Sequence, residues 1–187
     1  MTRKLVIATV AAAALIGGGT ATAVAVSGDD GTAARRDGSV EVKSSRVTAE
    51  QAIAAALKQT PGTAVSADLD DDNGGRVWEV DVLTAQSTWK SVQVDPGSGR
   101  VLGTHTDDED GDDTAEVRAA LKGTSVSAEE AARAAATHGT VTSVGLDDET
   151  GTWEAETAAS RGQDKDWSVD PRSGKVTADR SDDDQDD

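Results

Sequence analysis

The sequence predicts an α+β protein of two repeats, each one helix packed on a short antiparallel sheet of three to four strands. Three observations carry this. The octapeptide V-D-P-G-S-G-R-V at Val94–Val101 returns as V-D-P-R-S-G-K-V at Val169–Val176. A helix-start signal, Val47-Thr48-Ala49-Glu50-Gln51, is rewritten as Val126-Ser127-Ala128-Glu129-Glu130. A polar turn followed by an alternating strand is also written twice, at Trp78-Glu79-Val80-Asp81-Val82 and Trp153-Glu154-Ala155-Glu156-Thr157.

The octapeptide is hairpin chemistry. Asp and Pro suit the first two positions of a type I turn, and a later Gly supplies φ > 0 before the chain re-enters a strand. Gly97 is Arg172 in the second copy, whereas Gly99 is kept as Gly174, so the left-handed position falls at Gly99 and Gly174.

Each helix follows its cap. Thr48 caps the first, Gln51 sits three residues on as its capping-box partner, and Val47 can staple against Ala52. Ala52, Ile53, Ala56 and Leu57 share one face from Ala49 to about Thr60, and Pro61-Gly62 stops the helix. In the second copy Ala131, Ala132, Ala135 and Ala136 make an all-alanine face ending at Gly139, a face that demands close packing.

Strands follow in the same order in both copies. Residues 64–69 and 77–83 flank the turn 70–75, and residues 140–146 and 152–158 flank the turn 147–151. Alternation sends Trp78 and Trp153 to an apolar face and Glu79, Asp81, Glu154 and Glu156 to a polar one. Two more strands flank each octapeptide turn: 91–94 with 100–104, and 167–169 with 175–178.

The chain divides accordingly. Residues 1–25 read as a signal peptide or N-terminal membrane anchor: Arg3 and Lys4 precede an apolar run, Gly17-Gly18-Gly19 interrupts it, and Ala21-Thr22-Ala23 offers a small-residue cleavage site. The absence of charge from Leu5 through Gly28 also suits an anchor, but the glycine triplet and small-residue end favour cleavage. Residues 26–44 are a flexible tether, 45–104 the first repeat and 105–123 an acidic linker with a short helix from Thr114 to Lys122. Residues 124–179 form the second repeat, and 180–187 a solvated acidic tail. At about 60 residues a lone repeat is only marginally stable, so the two copies are expected to support each other.

Composition limits the function. The net charge of −17 over 187 residues repels phosphate backbones, so nucleic acid is not an expected partner. The chain has no Cys, which removes disulfides, thiolate nucleophiles and thiolate metal sites. Asp68, Asp70, Asp72 and Glu79 have the spacing of an EF-hand-like loop, but Asn73 stands where Gly is required, Gly145 replaces the first ligand in the second repeat, and the flanks read as strands. A plain hairpin is the better reading, and no metal or cofactor is assigned. Nucleophilic catalysis needs a base, and His105 and His138 fall in the linker and at a helix end. Glu79 with Asp81, and Glu154 with Glu156, are expected to be ionised surface pairs, with a partner-binding face as their functional alternative. Trp78 and Trp153 are assigned to the core. Trp89, beside Lys90 and without a counterpart in the second repeat, either closes the edge of the small core or anchors a partner.

The motifs in their fixed order, twice, resemble the PepSY domain, over residues 45–104 and 124–179. The carrying residues are the cap with Glu/Gln, the Ala-rich helix, Leu-Asp closing a strand, the acidic Gly turn, Trp-Glu-x-acidic, and Val-Asp-Pro-x-Ser-Gly-Lys/Arg-Val. The resemblance implies an exported, non-enzymatic binding module, secreted or held at the membrane by its N-terminal segment, and supplies no catalytic residues. It implies a protein or peptide partner, such as a secreted metallopeptidase restrained in trans, since no peptidase domain follows the repeats. The alternative from composition is an acidic cation-binding or spacer protein of the cell envelope.

Overall fold

Thr48 and Ser127 open two helices by the same reciprocal hydrogen bonds. Each hydroxyl accepts from the backbone N–H three residues on, and the Gln51 or Glu130 side chain accepts from the cap's own N–H. The computed structural model describes residues 46–72, 75–107, 111–158 and 164–179. The expected signal or anchor, tether and acidic tail lie outside the described residues.

Helix α1 is Ala49–Gln59 and buries Ala49, Ala52, Ile53 and Ala56. Strands β1 Thr63–Asp72, β2 Gly75–Leu83, β3 Trp89–Val94 and β4 Val101–Asp107 follow. Helix α2, Gly111–Lys122, leads to α3, Ala128–Ala135, and then to β5 Thr140–Leu146, β6 Trp153–Ala158, β7 Lys165–Val169 and β8 Val176–Ala178. The first hairpin's strands run further than expected, β1 to Asp72 and β2 from Gly75, and two helix boundaries also differ. Helix α3 ends at Ala135 rather than near Gly139, and α2 begins at Gly111 rather than Thr114.

The strands join in one antiparallel sheet of order β4-β3-β2-β1-β5-β6-β7-β8. Each repeat therefore supplies one helix and four strands, but neither closes its own sheet. β1 pairs with β5 through Ser66–Gly145, Ala67–Val144 and Asp68–Ser143, so the backbone ladder runs uninterrupted through both halves. This pairing converts two marginal units into one core.

Helices α1 and α3 lie side by side on one face. Their inward alanines, Ala49, Ala52, Ala56, Ala128, Ala131, Ala132 and Ala135, are 0–2% exposed and pack with Trp78, Val80, Val82, Val92, Val94, Val144, Trp153 and Val169. Small side chains let two helix backbones approach the sheet and each other closely, which is the physical reason for the alanine face. Arg133 of α3 bridges Glu50 of α1 at 2.8 Å over the top.

The repeated motifs meet in space. Pro96 O accepts from the N–H groups of Arg46 and Val47, and Pro171 O from those of Ser125 and Val126. The Trp78 indole donates to Val47 O at 3.0 Å, and Trp153 to Val126 O at 2.9 Å. Turn, helix entry and strand tryptophan thus form one three-way clasp, made once per repeat. Gly99 and Gly174 have φ of 73° and 69°, as the comparison of the two octapeptides predicts.

Helix α2 has no counterpart among the described residues of the second repeat. It covers one end of the opposite sheet face, where Val65, Leu83, Trp89 and Val117 form a second buried cluster. Trp89 is buried at 7% exposure and donates from its indole to Thr114 Oγ1 at 2.9 Å. It is a core residue rather than an exposed anchor.

Candidate interaction face

Beyond α2 no helix or strand among the described residues covers the second sheet face, and its residues are placed there by strand alternation and by two bulges. Between Ala64 and Ser66, and again between Val141 and Ser143, the register shifts by one residue. Ala64 and Ala67 point into the main core while Val65 joins the second cluster, so the bulge turns Val65 and Ser66 together onto the open side. Thr142 and Ser143 are the equivalent pair.

The face reads as two rows across the sheet. One runs Gly103, Gln93, Glu79, Asp68, Ser143, Glu156, Asp166; the other runs His105, Ser91, Asp81, Ser66, Gly145, Glu154, Ser168, Thr177. Neither row contains Lys or Arg. The strand cations Arg76, Lys90 and Lys165 are in register with Asp71, Val82 and Thr157, on the helix side.

Two serine–carboxylate bonds stitch the centre. Ser66 donates to Asp81 Oδ2 at 2.8 Å, and Ser143 donates across the repeat junction to Asp68 Oδ1 at 2.5 Å. Burial pushes the Asp68 carboxyl up to about 6; Asp70, Glu79 and Glu156 add like-charge repulsion, and the Ser143 hydrogen bond only partly opposes them. Asp81 corrects the expectation of a solvated pair, since it is 5% exposed and accepts from Ser66, while Glu79 remains half-buried. Ser91, in register with Asp81, is 4% exposed.

The other sequence candidates are dispersed. Asp68, Asp70 and Asp72 lie in β1 and Glu79 in β2 opposite Asp68, a ladder rather than an ion-binding loop. Among the described residues no group of three or more His, Asp or Glu is gathered as a metal site. His105 lies on edge strand β4, while His138 follows α3 and stacks on Trp167 of β7 at 4.2 Å between ring centroids, in the other half of the sheet. Trp167 donates to Thr157 Oγ1 at 2.9 Å, which fixes that ring. Sequence reasoning missed Asp68 as a perturbed acid and Ser143 as its partner, because the two are 75 residues apart and meet only through β1–β5 pairing.

The chain is similar to known proteins in part of its length. The chain is 36% identical over 62 residues to the uncharacterized protein YkoJ of Bacillus subtilis strain 168, a stretch that is 33% of this chain and 36% of that protein. The chain thus spans about a third of the length of that curated relative. The crystal structure of CD1622 from Clostridium difficile 630 aligns with 65% of this chain and 86% of its own, at 20% identity and a TM-score of 0.39. The family model for PepSY, the peptidase propeptide and YPEB domain, matches residues 46–105 and again residues 125–180. With both matches built on the same clasp of turn, capped helix and tryptophan, the chain belongs to the PepSY family and carries its domain twice.

Proposed function

We propose that the protein is an exported, non-enzymatic binding module that engages a separate protein partner and restrains an extracytoplasmic peptidase in trans. The carrying observation is the double family match, since PepSY modules accompany peptidases as propeptide and regulatory elements and mediate protein interactions. The location is supported by the family and by the charged, apolar and small-residue layout of residues 1–25. The non-catalytic reading is supported by the separation of His105 from His138 in the fold and by the PepSY match itself.

The test is residual activity of peptidases secreted by the source cells, titrated with the purified protein in excess calcium. Saturable inhibition that survives calcium supports restraint. Inhibition abolished by calcium supports instead an acidic cation collector, the reading favoured by a net charge of −17. No inhibition at all refutes peptidase restraint.

A further inference from the structure

We propose that the junction between the two repeats is a self-complementary, two-fold surface that also joins two copies of this chain, the first repeat of each pairing with the second repeat of the other. This concerns the chain's own assembly and stands apart from the peptidase reading.

Register is the first argument. Trp78 lies opposite Leu69 and Trp153 opposite Leu146, so Ala67 and Val144 are equivalent positions, as are Ser66 with Ser143 and Asp68 with Gly145. At the junction Ala67 faces Val144, with Ser66 opposite Gly145 on one side and Asp68 opposite Ser143 on the other. Equivalent residues meet at the centre and trade places to either side, which is the signature of a two-fold axis through the Ala67–Val144 pair. The two bulges stand at equivalent places as well, between Ala64 and Ser66 and between Val141 and Ser143. The helices follow the same symmetry, α1 lying against β5 as α3 lies against β1. A self-matching interface of this kind normally joins the subunits of a dimer, and here it is made within one chain.

The second argument is that each half needs the other and the tie between them is exchangeable. The junction ladder spans Ser66 to Asp68, whereas β1 pairs with β2 from Thr63 to Asp72. A lone repeat of this size is marginal, and the main core is completed only when both halves contribute. One stretch of chain, from β4 through α2 to α3, connects them. A second copy can therefore supply the missing half with every junction contact remade, Arg133 on Glu50 included. The balance is set by protein concentration against the effective concentration of the tethered halves, on the order of 1 mM for a flexible connection.

The experiment uses engineered cysteines in the full chain, which has none of its own. A Cβ at Gly145 would lie 3.9 Å from Ser66 Cβ, a separation that suits a disulfide. Ser66→Cys/Gly145→Cys in one chain, refolded from urea at about 1 μM and oxidised, should close internally and stay monomeric, which shows that both positions fold and meet. Ser66→Cys alone and Gly145→Cys alone have no internal partner. Mixed equally and refolded at about 1 mM, these two chains should give about a quarter of the protein as a disulfide-linked dimer. Adding Glu50→Arg to the first chain and Arg133→Glu to the second sets like charges together within each copy and opposite charges together between copies. That exchange should raise the linked share to about half. No linked dimer at high concentration while the double variant closes, equal dimer from either single variant alone, or no response to the charge exchange would overturn the proposal. Failure of the double variant to close would refute the junction geometry on which it stands.

Discussion

Ser143 donates a 2.5 Å hydrogen bond to Asp68 across β1 and β5, the strand pair that turns two repeats into one sheet. The bond places a half-buried carboxylate among Asp70, Glu79 and Glu156, and its pKa is raised from 3.8 to about 6. A carboxyl raised in the fold binds its proton more tightly folded than unfolded. Its contribution is therefore most favourable below the unfolded value and is lost as pH rises from about 4 to about 6, flat above that. The shift corresponds to about 3 kcal/mol at most. Asp68→Asn keeps an acceptor for Ser143 and removes the charge. Urea unfolding should find the variant more stable than the parent by about 1–2 kcal/mol at pH 7 and equal to it near pH 3.5. A stability difference independent of pH would refute the assignment.

The Trp78–Val47 and Trp153–Val126 bonds predict that indole nitrogens matter beyond their bulk. Trp78→Phe or Trp153→Phe leaves most of the ring volume but removes the donor that holds the residue before each helix cap. Each should cost about 1–3 kcal/mol, from a lost buried hydrogen bond and a small cavity. The clasp also implies local coupling. Trp78→Phe combined with Thr48→Ala in the same repeat should be non-additive, whereas Trp78→Phe with Ser127→Ala in the other should add. A double-mutant cycle showing the reverse would refute the clasp.

Gly97 and Gly99 are two residues apart in one turn and should respond in opposite ways. Gly99 has φ of 73°, where a side chain is strained, and Gly99→Ala should cost about 1 kcal/mol or more. Gly97 is not in that region, and a Cβ there would meet only Asp95 Oδ1 at an ordinary 3.5 Å. Gly97→Ala should be neutral or slightly stabilising by restricting the unfolded chain. Thermal midpoints of the two variants check this, and equal losses would refute it.

Much of this fold is written locally. The octapeptide turns, both capping boxes and the two core tryptophans are legible because their determinants lie within a few residues of each other. The turn at residues 147–151 is also legible as a turn, but not its likeness to the other two. Asp147–Gly151 repeats the geometry, with Thr150 N donating to Asp147 Oδ1 and Gly151 at φ 69°, but without the Pro that marks the other two. The β1–β5 junction is not legible, because an alternating strand specifies which face is buried and not which strand lies beside it. The same gap hides the site. Asp68 and Asp81 look like any carboxylates on a polar face, and Asp68 meets Ser143 only once β5 lies beside β1. Gly62 reads as a helix stop, yet a Cβ there would lie 2.6 Å from Val82 Cγ1 and 2.7 Å from Leu83 O, a close approach invisible in one dimension.

Trp89 illustrates a residue whose role depends on an element found on one side only. Its indole is buried with Val65, Leu83 and Val117, and its nitrogen is matched by Thr114 of α2. The second repeat has Asp164 at the corresponding position, and no helix among the described residues covers it. Helix α2 therefore depends on a small satellite cluster rather than on the main core. Trp89→Ala should cost about 3–5 kcal/mol if α2 unfolds with the rest, and less if α2 can leave alone. The separation of the two clusters favours the second outcome. Native-state hydrogen exchange should show α2 amides losing protection in Trp89→Ala while amides of β1 and β2 keep theirs. Thr114→Val, which strands the indole N–H, should weaken α2 protection in the same direction by about 1–3 kcal/mol. Equal loss of protection in α2 and the central strands would mean the satellite cluster is an integral part of the core, and the helix is not a separable cover.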